Sequence, residues 1–131
     1  MHLILLMALL QAPTAASQKP DSLALARQYT VWFYTNQVDS LIAHYSADTR
    51  RDTTLRRDIA AQMEQLALRA GTETGVVEEK FVKRNGRTQY WRTAKFTDFA
   101  EPILLRWVIN PDGTIGGMGL GPKSQAPPID P

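Results

Sequence analysis

The chain has 131 residues, of which 44% are hydrophobic, 21% charged and 8% aromatic, a composition that excludes disorder, collagen and coiled coil and suits one small domain. Its 15 basic and 13 acidic residues leave a formal charge of +2, and the arginine pairs at 50–51 and 56–57 alternate with Asp48, Asp52 and Asp58, so no nucleic-acid partner is expected. With no cysteine, disulfides, thiolate zinc sites and iron–sulfur clusters are excluded.

Residues 1–16 carry no Lys, Arg, Asp or Glu, and the apolar run 3–10 is followed by Pro13, Thr14, Ala15, Ala16 and Ser17. This pattern reads as a signal peptide, implying export to the periplasm or the extracellular space. The run is too short to span a bilayer and no later stretch approaches the ~20 apolar residues needed, so the mature chain is expected to be soluble, with no membrane span. Residues 17–20 form a polar spacer before the folded domain, 21–121, and a proline-rich tail, 122–131, expected to be extended and mobile.

Asp21 and Ser22 supply a helix start, and Leu25, Tyr29, Trp32, Phe33 and Asn36 recur at helical spacing, giving one aromatic face. A second short amphipathic helix gathers Val38, Leu41, Ile42 and Tyr45 before a polar break at 46–52. Thr53 or Thr54 caps a third helix, whose apolar stripe runs Leu55, Ile59, Met63, Leu66 and Ala70, with Met63 and Leu66 in the core. Gly71 ends it as a left-handed cap.

From residue 72 the period changes to that of strands. Segments 76–84 and 88–96 flank Asn85-Gly86, the signature of a two-residue hairpin turn with positive φ at both positions. That register pairs Phe81 with Tyr90, Glu79 with Arg92 and Val77 with Ala94 on one face, and sets Lys80 over Trp91 on the other, where a cation–π contact is expected. A third strand, 103–110, turns through Asn110-Pro111-Asp112-Gly113 into a fourth, 114–120. Here the expected pairs are Ile109 with Ile115, Trp107 with Gly117 and Leu105 with Gly119, with Arg106 on the reverse side near Met118 and the glycines making room for Trp107.

Helices followed by four antiparallel strands make an α+β arrangement, two to three helices laid on a bent sheet that encloses a cone. The element order, the strand-turn-strand run ILLRWVINPDGTIGGMGL at 103–120, Val38-Asp39-Ser40-Leu41 after the first helix and Gly71 after the long one resemble the small exported bacterial domains of unassigned function in the nuclear-transport-factor-2-like (SnoaL-like, cystatin-like) superfamily. Some relatives of that kind precede an alpha/beta-hydrolase domain. These signatures are structural. No G-x-S-x-G elbow occurs in the chain, so no hydrolase activity carries over.

Once a leader holding His2 is removed, His44 is the single histidine, and neither a multi-histidine metal site nor a cofactor is expected. On a continuous helix Ser40, His44 and Asp48 would stack at i, i+4 and i+8 in the manner of a nucleophile, base and orienter, but nothing supplies an oxyanion hole. Glu79 and Tyr90 are the catalytic candidates, since a carboxylate in an apolar cavity would have a raised pKa and could serve as a base; the favoured alternative is that Glu79 and Arg92 simply neutralise each other at a pocket mouth or on an outward face. Tyr29, Trp32, Phe33, Glu79, Tyr90, Arg92 and Trp107 are the candidate pocket. Three functions remain open: a non-catalytic module binding a small apolar ligand or a protein partner in the cone; a small isomerase-, cyclase- or dehydratase-like enzyme using Glu79; and a homodimeric scaffold joined through the outer sheet face at Trp91 and Lys80.

Overall fold

The computed structural model describes residues 21–131, so the expected leader, 1–16, and spacer, 17–20, lie outside the described residues. Four helices precede four strands: α1 Ser22–Tyr34, α2 Val38–His44, α3 Ala47–Arg50, α4 Leu55–Ala70, then β1 Glu73–Arg84, β2 Arg87–Phe96, β3 Ile103–Ile109 and β4 Ile115–Pro122, closed by a 3-10 turn at Lys123–Gln125. The strands form one antiparallel sheet in the order β1-β2-β3-β4. The helices pack on one of its faces, so the α+β arrangement is as expected. No described helix is long and apolar enough to cross a membrane.

Asp21 caps α1 by accepting from the Ala24 amide. The helix ends two residues before the expected Asn36, which instead takes φ +58° and lets the Gln37 amide reach back to the Trp32 carbonyl at 2.9 Å. The polar break at 46–52 contains α3, capped by Ser46. Thr54 begins α4 without capping it, because its hydroxyl donates to Asp52 and Asp58. Gly71 ends α4 at φ +79°, ψ −127°, outside the left-handed helical region, and a Cβ there would collide with Thr97 Oγ1 and Asp98.

The Asn85-Gly86 turn has φ of +54° and +74°, and the hairpin keeps the expected pairs Glu79 with Arg92, Lys80 with Trp91 and Phe81 with Tyr90. Towards the start of β1 two register shifts intervene, between Glu73 and Gly75 and between Val76 and Glu78. Val76, not Val77, therefore faces Ala94, and the inner face of β1 carries Glu73, Val76, Glu79 and Phe81. A further shift between Val108 and Ile109 preserves Ile109 with Ile115 but moves Trp107 opposite Met118 and Leu105 opposite Leu120. Arg106 consequently lies over Gly119 and Arg87 over Gly116, where any Cβ would collide with their guanidinium groups. The β4 glycines thus make room for arginines on the outer face and not for Trp107.

The core gathers Tyr29, Phe33, Leu41, Ile59, Met63, Leu66, Tyr90, Leu105, Trp107, Ile109 and Ile115 between the helices and the inner sheet face, with Met63 and Leu66 buried as expected. A parallel bridge from Tyr45 to Ile115, with the Ser46 amide donating to the Ile115 carbonyl at 2.9 Å, ties the helical layer to the far edge of the sheet. The tail is extended but tied down: Asp130 accepts from the Asn85 and Gly86 amides at 2.8 and 2.9 Å.

Candidate functional site

A cleft of about 720 Å³ opens between α1, the C-terminal half of α4 and the inner face of β1 and β2. Its walls are apolar where Phe33, Met63, Leu66 and Phe96 come from the core, and its rim carries the exposed Val31 and Val76. Arg27, Tyr34, Glu73, Glu79 and Arg92 supply the polar side.

These polar groups form one continuous network. Arg92 donates from Nε and Nη2 to both oxygens of Glu73, at 3.1 and 2.6 Å, and from Nη1 to Glu79 Oε1 at 3.1 Å. Arg27 on α1 forks onto the other side of Glu79, with Nε to Oε1 at 3.1 Å and Nη2 to Oε2 at 2.8 Å. The Tyr90 hydroxyl donates to Glu79 Oε1 at 2.5 Å, and the Tyr34 hydroxyl to Glu73 Oε2 at 2.6 Å. Two guanidiniums and two carboxylates balance in charge. Fork-to-fork pairs of this kind fix orientation as well as contributing energy.

The electrostatics follow from that geometry. The Arg27 guanidinium, helped by the Tyr90 hydroxyl, holds the Glu79 carboxyl down to about 2, below the usual carboxylate range. The raised pKa of the base reading is therefore reversed and the neutralised pair of the other reading is present, because Arg27, Tyr90 and Arg92 all donate to Oε1. Burial, with the Glu79 contact second, pushes the Tyr90 hydroxyl up to about 12. Burial raises Tyr34 as well, and hydrogen bonds to Glu73 raise Arg92, so neither gives up its proton near neutrality. A carboxylate already holding four donors is a poor base. The network orients and pairs charges.

Of the candidate pocket residues, Phe33, Glu79 and Arg92 line the cleft. Tyr90 reaches it through Glu79. Tyr29 and Trp107 are sealed in the core, where the Tyr29 hydroxyl donates to the Gly113 carbonyl at 2.5 Å and Trp107 Nε1 donates to Thr30 Oγ1 at 3.0 Å. Trp32 packs against His44 with ring centroids 4.7 Å apart and the planes tilted by 50°, and it does not line the cleft. The Ser40, His44 and Asp48 series does not assemble. His44 Nδ1 meets the Ser40 backbone carbonyl at 2.8 Å, the chain leaves the helix at Tyr45, and Asp48 sits on α3 facing Arg51. On the outer face Lys80 lies 5.8 Å from the Trp91 ring centroid, as expected. Among the described residues no group of three or more His, Asp or Glu is placed to hold a metal ion.

Sequence reasoning missed Arg27, Tyr34 and Glu73. A signal was present for the first two: Arg27, Thr30, Val31 and Tyr34 recur at i, i+3, i+4 and i+7, a stripe beside the aromatic one on α1, and every one of them lines the cleft. Glu73 was out of reach, since only the two register shifts in β1 bring it beside Arg92. No family model, curated protein or solved structure matches the chain.

Proposed function

We infer that the chain is an exported, non-catalytic binding module of the nuclear-transport-factor-2-like kind, and that the cleft between α1, α4 and β1–β2 receives a small ligand with an apolar body. The observation that carries this reading is the saturation of both cleft carboxylates by arginine and tyrosine donors beside an apolar wall. Such a site offers shape, apolar surface and a fixed polar frame, which is what a small-molecule pocket needs. It offers no free base. The parallel bridge that ties Tyr45 to β4 supports the cone, since it closes the helices against the sheet edge. The apolar run at 3–10 supports export.

The enzyme reading would use Glu79 as a general base, and a carboxyl held to about 2 argues against it. The test is methyl NMR on Met63 and Leu66 during a screen of steroid-like, aromatic and fatty ligands, with turnover assays on any hit. Val31 is 51% exposed on the rim, so Val31→Trp narrows the mouth while leaving the core alone. A hit that shifts both methyls in the wild type and binds at least tenfold more weakly to Val31→Trp is expected. Turnover that falls 10²- to 10⁴-fold in Glu79→Gln would replace this reading with the enzyme. Intact-mass analysis of secreted protein tests the leader, and a chain still beginning at Met1 would overturn export.

A further inference from the structure

Among the described residues no helix packs on the outer face of the sheet, yet Gln89, Trp91 and Thr93 on β2 and Leu104 on β3 are all buried there, Trp91 to 7% exposure and Leu104 to 3%. These residues stand outside the core cluster, which occupies the opposite face. The tail is anchored at both ends of this face. At one end the Lys123 amide donates to the Pro102 carbonyl at 2.9 Å, and Ser124 donates from its amide and hydroxyl to Glu101. At the other end the Asp130 amide donates to the Lys83 carbonyl at 2.8 Å, and its carboxylate bridges the two turn amides of Asn85 and Gly86. These anchors lie at opposite ends of β2, so 125–129 crosses the outer face between them.

Between its anchors the strap makes no hydrogen bond to the sheet. Pro127 is half-buried while its neighbours Ala126 and Pro128 are exposed, so one proline is seated against the face. The surface beneath is an indole with its own internal partner, Trp91 Nε1 donating to Gln89 Oε1 at 2.9 Å, flanked by Lys80 and Arg106. Aromatic surface beside polar groups accepts extended proline-containing chains, which dock with little entropy left to lose. The latch is equally specific. Two successive amides at positive φ form a concave anion site, and Lys83 and Arg84 add positive charge to it.

We propose that the outer sheet face is a docking groove for an extended peptide carrying a proline three residues before an aspartate, and that the chain's own Pro127-to-Asp130 segment fills it in cis. The proline rests on the Trp91 side and the aspartate locks onto the Asn85-Gly86 turn. A tethered segment competes at a high effective concentration, so a partner peptide gains access when the latch is opened.

The test uses the full chain and the hexapeptide Ala-Pro-Pro-Ile-Asp-Pro added in trans. In Asp130→Ala the amide signals of Asn85 and Gly86 and the Trp91 indole signal are expected to move, and the peptide restores them towards their wild-type positions. It binds this variant at least tenfold more tightly than it binds the wild type. The same peptide with Asn for Asp gives no restoration, and Trp91→Phe in the variant removes the indole signal and weakens the peptide. Should Asp130→Ala lose its fold by circular dichroism, Asp130→Asn removes the same charge at constant volume. Unmoved Asn85 and Gly86 signals, equal affinity for variant and wild type, or a concentration-dependent dimer in place of peptide binding would each overturn the proposal.

Discussion

The inner face of the sheet is divided between two chemistries, and neighbouring rows of side chains show how. Phe81, Tyr90, Trp107 and Met118 stand in one row across β1 to β4, and Glu79, Arg92, Leu105 and Leu120 in the next. On β3 and β4 both rows are apolar, and polar atoms such as Trp107 Nε1 and the Tyr29 hydroxyl are each satisfied by one internal partner. On β1 and β2 the second row is charged, and α1 answers it with Arg27 in place of an aromatic ring. The first region is a closed core. The second is a frame around a cleft, in which Arg27, Arg92, Glu73 and Glu79 hold one another in fixed pairs. The charges mark the site, while aromatic residues serve both ends: Tyr29 and Trp107 in the sealed core, Phe33, Tyr34 and Phe96 along the cleft.

The largest effect should fall on the sealed end. Trp107 is fully buried between Tyr29, Phe33 and Thr30, so Trp107→Ala removes the largest buried side chain and leaves the Thr30 hydroxyl without its indole partner. A loss of about 3–5 kcal/mol in denaturant melts is expected. A loss below about 1 kcal/mol would mean that the β3–β4 half is loosely packed and is no closed core.

At the charged end Arg92 is the hinge, because it alone touches both Glu73 and Glu79. Arg92→Met keeps most of the stem but leaves two carboxylates facing each other across its place. About 2 kcal/mol of stability should be lost at neutral pH in denaturant melts. A loss below about 0.5 kcal/mol would show that Arg27 and the tyrosines hold the frame without it.

How much of this was legible in the sequence depends on distance along the chain. Asn85-Gly86 set the hairpin register, and through it the pairing of Glu79 with Arg92, from residues a few positions apart. Arg27 meets Glu79 across 52 residues, a contact that depends on how α1 lies on the sheet, and no local pattern reports that. Bulges were the other blind spot. A single extra residue at Val77 or Gly116 costs little and leaves no compositional trace beyond the glycine, yet it exchanges Val77 for Val76 in the cleft and Gly117 for Met118 opposite Trp107. The tail misled for a related reason, since four prolines in its ten residues speak of an extended chain and not of where one aspartate finds two free amides.

The smallest effect separates the two regions by pH alone. Glu79 has a folded pKa of about 2, below its unfolded value of 4.5, chiefly through Arg27 and then Tyr90. A carboxyl depressed by folding binds its proton more tightly in the unfolded chain. Its stabilising contribution is therefore complete above the unfolded value and is lost as pH falls from about 4.5 towards 2. Asp52, Glu78, Glu101, Asp112 and Asp130 are lowered by folding as well, through exposed hydrogen bonds and ion pairs, so the part that belongs to the charged end is the difference between the wild type and a variant lacking the Glu79 carboxyl. At pH 3 the wild type should fall by about 1 kcal/mol relative to pH 6 on account of Glu79, a figure reduced for the partial exposure of the site. Glu79→Gln removes the titrating group while preserving shape, so its stability curve should be flatter across the same window although it starts lower at pH 6. Parallel curves for the two proteins would mean that Glu79 keeps an ordinary pKa, and the carboxylate would then return as a usable base.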